Sequence, residues 1–244
     1  MLLDHTSGIY DLPTWVAEKL FTDPHHNWHP GRIIRSDLRQ PRYCPPGECW
    51  QYSNTNYLLL GKVIESVTSR RPARLYEPRI FDRVGMPDTA FRPRRPVPAP
   101  AAHGFAGEAG ETTGWNFSWI WTAGGAISKL RDLRRWGPAL ATGQGVLSRR
   151  MQRKRLRPVS AASLGEPGLM YGLGIFELNG FYGHDGSVPG YDSLVVHSPS
   201  LEMTIVALGN TNAADPVFRP PSNPDGLFFG LAPRLVDVVE AGPR

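Results

Sequence analysis

Two short motifs, far apart in the chain, carry side chains that could transfer protons during acyl chemistry. The first is Tyr52-Ser53-Asn54, which stands directly before an apolar helical pattern, and the second is His184-Asp185-Gly186. A tyrosine hydroxyl ionises only at about pH 10, but a neighbouring cation favours the phenolate, which can then accept a proton. Acyl transfer through a serine needs such a base, and it needs a proton for the leaving group.

The nucleophile that this chemistry requires is not visible in the 244 residues. In a Ser-x-x-Lys motif, a serine stands three residues before a lysine. The four lysines of the chain are preceded at that distance by Val16, Leu59, Ala126 and Met151. Ser7 has no lysine at the needed spacing, and no serine fits the Gly-x-Ser-x-Gly pattern of α/β-hydrolases. An acyl-transfer site built on these two motifs would therefore lack its nucleophile among the 244 residues.

Both motifs stand among further short segments whose order resembles one known family. These segments are Leu2-Leu3-Asp4-His5-Thr6-Ser7-Gly8, Ala123-Gly124-Gly125-Ala126-Ile127-Ser128, Tyr171-Gly172-Leu173-Gly174 and Ala207-Leu208-Gly209-Asn210-Thr211. Together they resemble the penicillin-recognising serine hydrolases, which comprise class C β-lactamases, D-alanyl-D-alanine carboxypeptidases and related esterases. The resemblance is strongest to the extracellular D-alanyl-D-alanine carboxypeptidases of actinobacteria.

The resemblance implies catalytic roles for three residues. Tyr52 would be the acid/base that shares the proton work with the motif lysine. Asn54 would hold that lysine and the amide of the substrate. His184 would lie at the end of an inner strand and add positive potential near the tyrosine.

Four further residues are expected to bind substrate by the same resemblance: Trp119, Phe176, Gly186 and Ser187. Gly186 would leave room for the substrate backbone, and Ser187 would offer an oxyanion N–H group. Phe176 stands where the carboxypeptidase branch has an arginine that binds the terminal carboxylate of the substrate. A phenyl ring cannot pair with a carboxylate, which favours an ester, amide or D-amino-acid peptide substrate unless another arginine substitutes.

The resemblance implies an α+β fold of the β-lactamase/transpeptidase type, in which helices flank an antiparallel sheet beside a mainly helical subdomain. We expect one domain across residues 1–244 that lacks the N-terminal part of the fold, with a helical region at roughly 9–150 and the sheet and a C-terminal helix at 168–244. Helices are predicted at residues 13–20, 54–68, 73–84, 128–141 and 227–239, and strands at 171–178, 194–198 and 203–208.

Local signals support these elements. Leu60, Val63, Ile64 and Val67 recur at helical spacing, and Ser53 or Asn54 is expected to cap the helix that contains them. Ser128 is expected to cap the later helix.

Composition excludes several other classes of function. The net charge is +5, but the arginine-rich stretches 92–95 and 149–157 lack interleaved aromatic residues and are predicted to be solvated loops, so nucleic-acid binding is not expected. No membrane span, signal peptide, metal site or cofactor is predicted, and the His25-His26-x-x-His29 cluster is expected to be solvated. Cys44 and Cys49 could be bonded or free. The compartment stays open, although such proteins are usually exported.

The function implied by the resemblance is hydrolysis of an amide or ester through an acyl-enzyme. The partner would be a small molecule or peptide, such as a peptidoglycan-like peptide, a β-lactam or an ester. Without Ser-x-x-Lys, we expect the 244-residue chain to be inactive by itself and to self-associate through uncovered sheet edges and apolar surface. The alternative is an inactive relative or gene fragment that acts, if at all, as a binding module.

Overall fold

The structure is a computed structural model, which describes residues 1–94, 96–160 and 168–212. The chain forms two compact units. One comprises Met1–Arg83, Pro87–Ala102 and Thr113–Ser128, and the other comprises Val84–Met86, His103–Thr112 and the described residues between 129 and 212. One domain across residues 1–244 stays a prediction, and the helix expected at 227–239 lies outside the described residues.

Helices dominate the chain up to residue 155, and strands dominate the rest of the described residues. The helices are α1 (Thr14–Thr22), α2 (Pro30–Asp37), α3 (Asn54–Thr68), α4 (Ala73–Tyr76), α5 (Asp82–Val84), α6 (Leu130–Thr142) and α7 (Arg149–Arg155), with a π-helical turn, Glu77–Phe81, between α4 and α5. The strands are β1 (Ala90–Phe91), β2 (Phe105–Ala106), β3 (Ala126–Ile127), β4 (Val159–Ser160), β5 (Met170–Tyr171), β6 (Phe176–Leu178), β7 (Phe181–Val188), β8 (Tyr191–Ser198), β9 (Met203–Gly209) and β10 (Thr211–Asn212). Within these residues, no helix has the length and hydrophobicity to cross a membrane.

Helix α3 has the predicted bounds, but the apolar spacing does not identify its buried face. Leu58 and Gly61 are buried, whereas Val63 is 48% and Val67 is 74% exposed. A Cβ atom at Gly61 would lie 2.6 Å from the Trp121 ring, so this glycine allows a 3-10 turn to approach the helix closely. The two exposed valines add apolar surface to the first unit, and the expected self-association stays a prediction.

A disulfide between Cys44 and Cys49 closes a short turn that lies against the first residues of the chain. Inside this turn, the Gly47 N–H group donates to the carbonyl oxygen of Thr6 at 2.7 Å. Gly8 has a φ of +67°, and a Cβ atom there would overlap the carbonyl group of Cys44. Residue 8 therefore has to be glycine if the Cys44–Cys49 turn is to lie this close to it. Of the two alternatives that the sequence leaves open for the cysteines, the structure has the bonded one.

The second unit contains an antiparallel sheet whose described strands follow the order β4-β5-β6-β7-β8-β9. Helix α6 packs against β7, β8 and β9. Leu140 of the helix is buried in one cluster with Ile175 and Val195. Gly137 brings the helix close to the sheet, because a Cβ atom there would lie 2.6 Å from the Thr204 methyl group. This unit accounts for the predicted sheet and for the helix predicted at 128–141.

The strand predicted at residues 171–178 is in fact two strands, β5 and β6. The chain reverses between them through a turn in which the Gly172 N–H group donates to the Ile175 carbonyl oxygen at 2.7 Å and Gly174 has a φ of +68°. Strand β7 has no counterpart among the strands predicted from hydrophobic alternation, because its glycines and polar residues hide that pattern. The strands at 194–198 and 203–208 are confirmed within β8 and β9.

Two helix starts differ from the predictions. The arginine-rich stretch expected as a loop forms α7, which Ser148 caps by accepting from the Met151 N–H group at 3.3 Å. Helix α6 has Lys129 as its N-cap residue rather than the expected Ser128. The Ser128 hydroxyl instead forms a 2.7 Å hydrogen bond with the hydroxyl of Thr89, so tertiary contacts decide the cap.

Gly183 is the position in β7 at which a side chain should be least tolerated. A Cβ atom there would overlap the Val195 carbonyl oxygen of β8, which is backbone and cannot rotate away. We expect Gly183→Ala to lower the free energy of unfolding by about 1–3 kcal/mol, measured by urea denaturation. Gly31→Ala in α2 is the matched control, because its Cβ atom would meet only the Arg35 side chain at 3.5 Å. Equal stability of both variants and the parent chain would contradict the steric argument.

Candidate active site

The Tyr52-Ser53-Asn54 motif lies at the start of α3, where a residue from a distant loop caps the helix. The Asn54 N–H group donates to Asp11 Oδ1 at 2.6 Å, and Asn54 Nδ2 donates to Asp11 Oδ2 at 3.3 Å. Ser53 is the N-cap residue, as expected, but its side chain makes no capping hydrogen bond. The Ser53 hydroxyl donates instead to the Tyr10 carbonyl oxygen at 3.2 Å. Asp11 thus binds both the backbone and the side chain of the motif asparagine.

The fully buried His5 side chain holds the other side of this motif. Its Nδ1 atom accepts a hydrogen bond from the Ser53 N–H group at 3.1 Å and lies 3.3 Å from Asn56 Nδ2. Because Nδ1 is an acceptor, the neutral ring carries its proton on Nε2. The imidazole stacks on the Tyr52 ring, with centroids 4.2 Å apart and an interplanar angle of 29°. His5 therefore fixes the plane in which the Tyr52 ring lies.

A second buried acid, Asp37, reaches the same helix end. Its Oδ2 atom accepts from the Thr55 hydroxyl at 2.5 Å. Burial, together with a smaller effect of the negative charge of Asp11, raises the pKa of Asp37 to about 7, although the hydrogen bond from Thr55 opposes the shift. Burial also raises the pKa of Asp11 to about 6, although its hydrogen bonds from Asn54 and Thr55 oppose the shift. The start of α3 therefore contains two carboxyl groups that titrate in weakly acidic to neutral solution.

Trp119, which is expected to bind substrate, also belongs to the first unit. It ends a 3-10 turn, Phe117–Trp119, that Asn116 caps by accepting from the Ser118 N–H group at 3.0 Å. Only 2% of Trp119 is exposed. In this conformation the indole could offer only a small part of its surface to a substrate.

In the second unit, His184 on β7 is hydrogen-bonded at both ring nitrogens. Its Nδ1 atom lies 2.7 Å from the Asp185 carbonyl oxygen and 3.2 Å from Asp185 Oδ1, while Nε2 lies 2.7 Å from the Tyr171 hydroxyl oxygen. Since Nδ1 faces two acceptors of Asp185, the neutral ring carries its proton there and Nε2 accepts from Tyr171. Burial lowers the pKa of His184, but the hydrogen bond and charge of Asp185 outweigh it, so this pKa lies above its usual value.

Phe176 stands beside this histidine. Its side chain on β6 is buried, and its ring centroid lies 5.9 Å from that of His184. Arg155, which the motif analysis did not single out, donates to the carbonyl oxygens of Leu173 at 3.2 Å and Gly174 at 3.1 Å. This guanidinium group binds the turn between β5 and β6, and its charge opposes protonation of His184.

The remaining two predicted residues, Gly186 and Ser187, lie near the tip of the hairpin formed by β7 and β8. The Ser187 hydroxyl donates to Asp192 Oδ1 at 2.6 Å. A Cβ atom at Gly186 would lie 2.8 Å from the hydroxyl oxygen of Ser193, so the glycine keeps this part of the hairpin closely packed.

The structure thus collects the predicted residues in two groups. The first unit holds Tyr52, Asn54 and Trp119, and the second unit holds Phe176 and His184 with Gly186 and Ser187 further along β7. Four side chains that contact these residues were not among the predicted site residues: His5, Asp11, Tyr171 and Asp185. His5 and Tyr171 lie in segments that carry the family resemblance, which is a usable signal, whereas an isolated acid such as Asp11 gives none.

Comparison with protein families gives the identity of the fold. The family model described as Beta-lactamase matches residues 1–222. The chain belongs to the beta-lactamase family. The expected membership of the penicillin-recognising hydrolases and the expected α+β fold of the β-lactamase/transpeptidase type are thereby confirmed.

Three similar proteins indicate the range of this family. A putative penicillin-binding protein of Bacillus subtilis is 26% identical over 213 residues, which are 86% of this chain and 50% of that protein. A D-aminopeptidase of Cereibacter sphaeroides is 26% identical over 70% of this chain and 34% of its own length. The crystal structure of a D-stereospecific amidohydrolase from Streptomyces sp. aligns with a TM-score of 0.79 and 27% identity over 86% of this chain and 66% of that one. The chain spans half or less of the curated relatives named here.

The stability of the first unit should depend on pH through Asp37. A carboxyl group whose pKa is raised by folding binds its proton more tightly in the folded state. Its contribution to the free energy of unfolding is therefore complete below about pH 4 and is lost as the pH rises through about 7. Asp37→Asn removes this loss. Between about pH 5 and pH 8, the free energy of unfolding of the parent chain should fall by about 2 kcal/mol more than that of Asp37→Asn, as measured by urea denaturation at each pH. Asp82→Asn, an exposed acid, is the control, and parallel curves for parent and Asp37→Asn would contradict the assignment.

The proton affinity of His184 should depend on its neighbour Asp185. Asp185→Asn removes the negative charge that favours the imidazolium, so the pKa of His184 should fall, as measured by NMR titration of the ring carbon-bound protons. Asp192→Asn, at the Ser187 side chain in the same hairpin, should leave that titration in place. An unchanged midpoint in Asp185→Asn would mean that another group sets the charge of His184.

Proposed function

We propose that the chain is part of a serine hydrolase that cleaves an amide bond next to a D-amino-acid residue through an acyl-enzyme. The observation that carries the proposal is the anchored Tyr52-Ser53-Asn54 motif, whose tyrosine and asparagine are held by His5 and Asp11. Family membership supports the reaction class. The names of the Streptomyces amidohydrolase and the Cereibacter aminopeptidase support the D-configured substrate.

In this proposal, Tyr52 moves protons in both halves of the reaction. As phenolate it accepts the proton of the attacking serine hydroxyl, the serine oxygen bonds to the substrate carbonyl carbon, and Tyr52 then gives that proton to the leaving nitrogen as the C–N bond breaks. In the second half, water attacks the acyl carbon and gives one proton to Tyr52, and Tyr52 returns that proton to the serine oxygen as the ester bond breaks and the product carboxylic acid leaves. Asn54 would bind the ammonium group of the motif lysine, and the charge of that lysine favours the phenolate.

His184 would contribute positive charge, and Phe176 would bear on substrate choice. The raised pKa of His184 keeps a larger fraction of the ring protonated near neutral pH than an isolated histidine would have. The buried Phe176 ring cannot pair with a terminal carboxylate, and the nearby Arg155 guanidinium already donates to backbone carbonyls. Both facts favour an amide or ester over a peptide with a free terminal carboxylate.

The nucleophile would come from a Ser-x-x-Lys segment outside these 244 residues, because none of the four lysines has a serine three positions before it. The same observation favours a second candidate function: a relative without a nucleophile that binds such substrates and does not cleave them. Covalent labelling separates the two candidates, because only an acylating enzyme retains a penicillin or a fluorophosphonate.

The test compares the 244-residue chain with the product of the reading frame extended upstream. We expect a fluorescent penicillin or fluorophosphonate to label the longer product at one serine and to leave the 244-residue chain unlabelled. Tyr52→Phe in the longer product should slow labelling by about 100-fold or more, because the proton acceptor is lost. Tyr57→Phe is the matched control, since that hydroxyl donates to the Leu3 carbonyl oxygen in the same region.

Each outcome of this test decides something. A longer product that takes up no label supports the binding module, whereas stoichiometric labelling of the 244-residue chain would show that its nucleophile lies within these residues. A labelled product should next be assayed with D- and L-amino-acid amides, and preference for the L-series would overturn the proposed substrate class.

A further inference from the structure

We propose that Asp11 is a positioning residue that fixes the orientation of the Asn54 side-chain amide. The inference rests on the proposed function, in which Asn54 binds the ammonium group of the motif lysine. It adds Asp11 to the residues on which that function depends. An amide can bind a cation only through its oxygen, so the useful orientation is the one with Nδ2 turned away from the cation.

The first argument is the chemistry of the contact between the two side chains. An ionised carboxylate only accepts hydrogen bonds, so the Asn54 atom at 3.3 Å from Asp11 Oδ2 has to be the donor Nδ2. The flipped amide would place its oxygen against a negatively charged oxygen, which is repulsive. The negative charge of Asp11 therefore selects one of two amide orientations that are otherwise similar in shape. Oδ1 then lies on the far side of the amide, where a cation could bind it.

The second argument is that the carboxylate is itself held in place. Its Oδ1 atom accepts from the Asn54 N–H group at 2.6 Å, and the Thr55 N–H group bonds to the same carboxylate. These groups are the unpaired donors at the start of α3, where the helix dipole favours a negative charge. One buried carboxylate thus binds the helix backbone and the motif side chain together, so the amide cannot rotate without losing a fixed partner.

The orientation should consequently depend on the proton of Asp11. A protonated carboxyl group gains an O–H donor, and the flipped amide could then accept from it. Burial raises the pKa of Asp11 to about 6, so this change belongs to weakly acidic solution. Titratable groups at this helix end include Asp37, with a pKa of about 7, His5, which accepts from the Ser53 N–H group, and the phenol of Tyr43 with the Tyr10 ring beside it. Burial raises the pKa of Tyr43, which keeps that phenol neutral in this range.

The experiment follows the side-chain amide signals of Asn54 by NMR in the 244-residue chain labelled with ¹⁵N-asparagine, with Asn54→Gln used for assignment. We expect these signals to shift with pH with a midpoint near pH 6. Asp11→Asn should abolish the shift. Asp37→Asn is the matched control, because Asp37 bonds to the Thr55 hydroxyl at the same helix end and has no hydrogen bond to the Asn54 amide, so the shift should persist.

Several results would overturn the inference. One is a pH-dependent shift that survives in Asp11→Asn with the fold intact by circular dichroism, and another is an equal loss of the shift in both variants, which would indicate a purely structural role. If Asp11→Asn fails to fold, Asp11→Glu is measured instead. This variant keeps a carboxylate, so the Asn54 amide signals should still shift with pH. A folded Asp11→Glu chain whose Asn54 signals do not shift would contradict the inference.

The enzyme assay gives a separate measurement. In the longer product, the labelling rate should fall as the pH drops through about 6. This fall should be absent in Asp11→Asn and present in Asp37→Asn. The NMR titration requires no acylation. Absence of labelling would therefore count against the proposed function, whereas absence of the Asn54 titration would count against the role of Asp11.

Discussion

The hydrogen bonds that fix the start of α3 are the constraint on which the Tyr-Ser-Asn motif depends. A helix begins with N–H groups that have no partner within the helix, and burying them unpaired costs about 1–3 kcal/mol each. Here the partners come from the first residues of the chain: His5 accepts from Ser53, and Asp11 accepts from Asn54. The motif lies between these two anchors. Its geometry is therefore set by a segment more than forty residues earlier in the sequence.

In each of the two units, hydrogen bonds at Nδ1 determine which nitrogen of a histidine ring carries the proton, but the result differs between His5 and His184. In the first unit, His5 Nδ1 accepts from a backbone N–H group, which leaves the proton on Nε2. In the second unit, His184 Nδ1 faces acceptors of Asp185, which places the proton on Nδ1 and lets Nε2 accept from Tyr171. The buried His5 serves as a neutral support, whereas the carboxylate beside His184 favours a charged ring. Neighbouring groups thus decide the role of each imidazole.

Elements with a local signal could be predicted from the sequence. The bounds of α3 follow from the apolar residues at helical spacing after Asn54. Its buried face could not be predicted, because the close contact is made at Gly61, where the absence of a side chain lets the neighbouring turn approach. Hydrophobic alternation could not reveal strand β7 for a related reason, although the family resemblance placed His184 in a strand: Gly183 is buried without a side chain, and β8 lies directly against it. Such contacts depend on the residues of the neighbouring element, which lies elsewhere in the chain and does not appear in the local sequence.

The site shows the same limit. Tyr52, Asn54 and His184 could be proposed because short motifs carry them, but each has a partner from elsewhere in the chain: His5, Asp11 and Tyr171, respectively. Asp11 is a single acid separated by 43 residues from Asn54, and no spacing rule joins them. The contact between Tyr171 and His184 requires the turn that separates β5 from β6, which a single predicted strand does not contain.

The choice of an acid at position 11 follows from the number of donors that it has to satisfy. A serine or asparagine cap offers one side-chain oxygen, whereas a carboxylate has two oxygens and about four acceptor positions. Asp11 uses them for the backbone groups of Asn54 and Thr55 and for the Asn54 amide. Burying the charge opposes this arrangement, which is why the pKa of Asp11 rises to about 6 even with these bonds. The same property that lets one residue hold the motif therefore also makes the motif sensitive to a single proton.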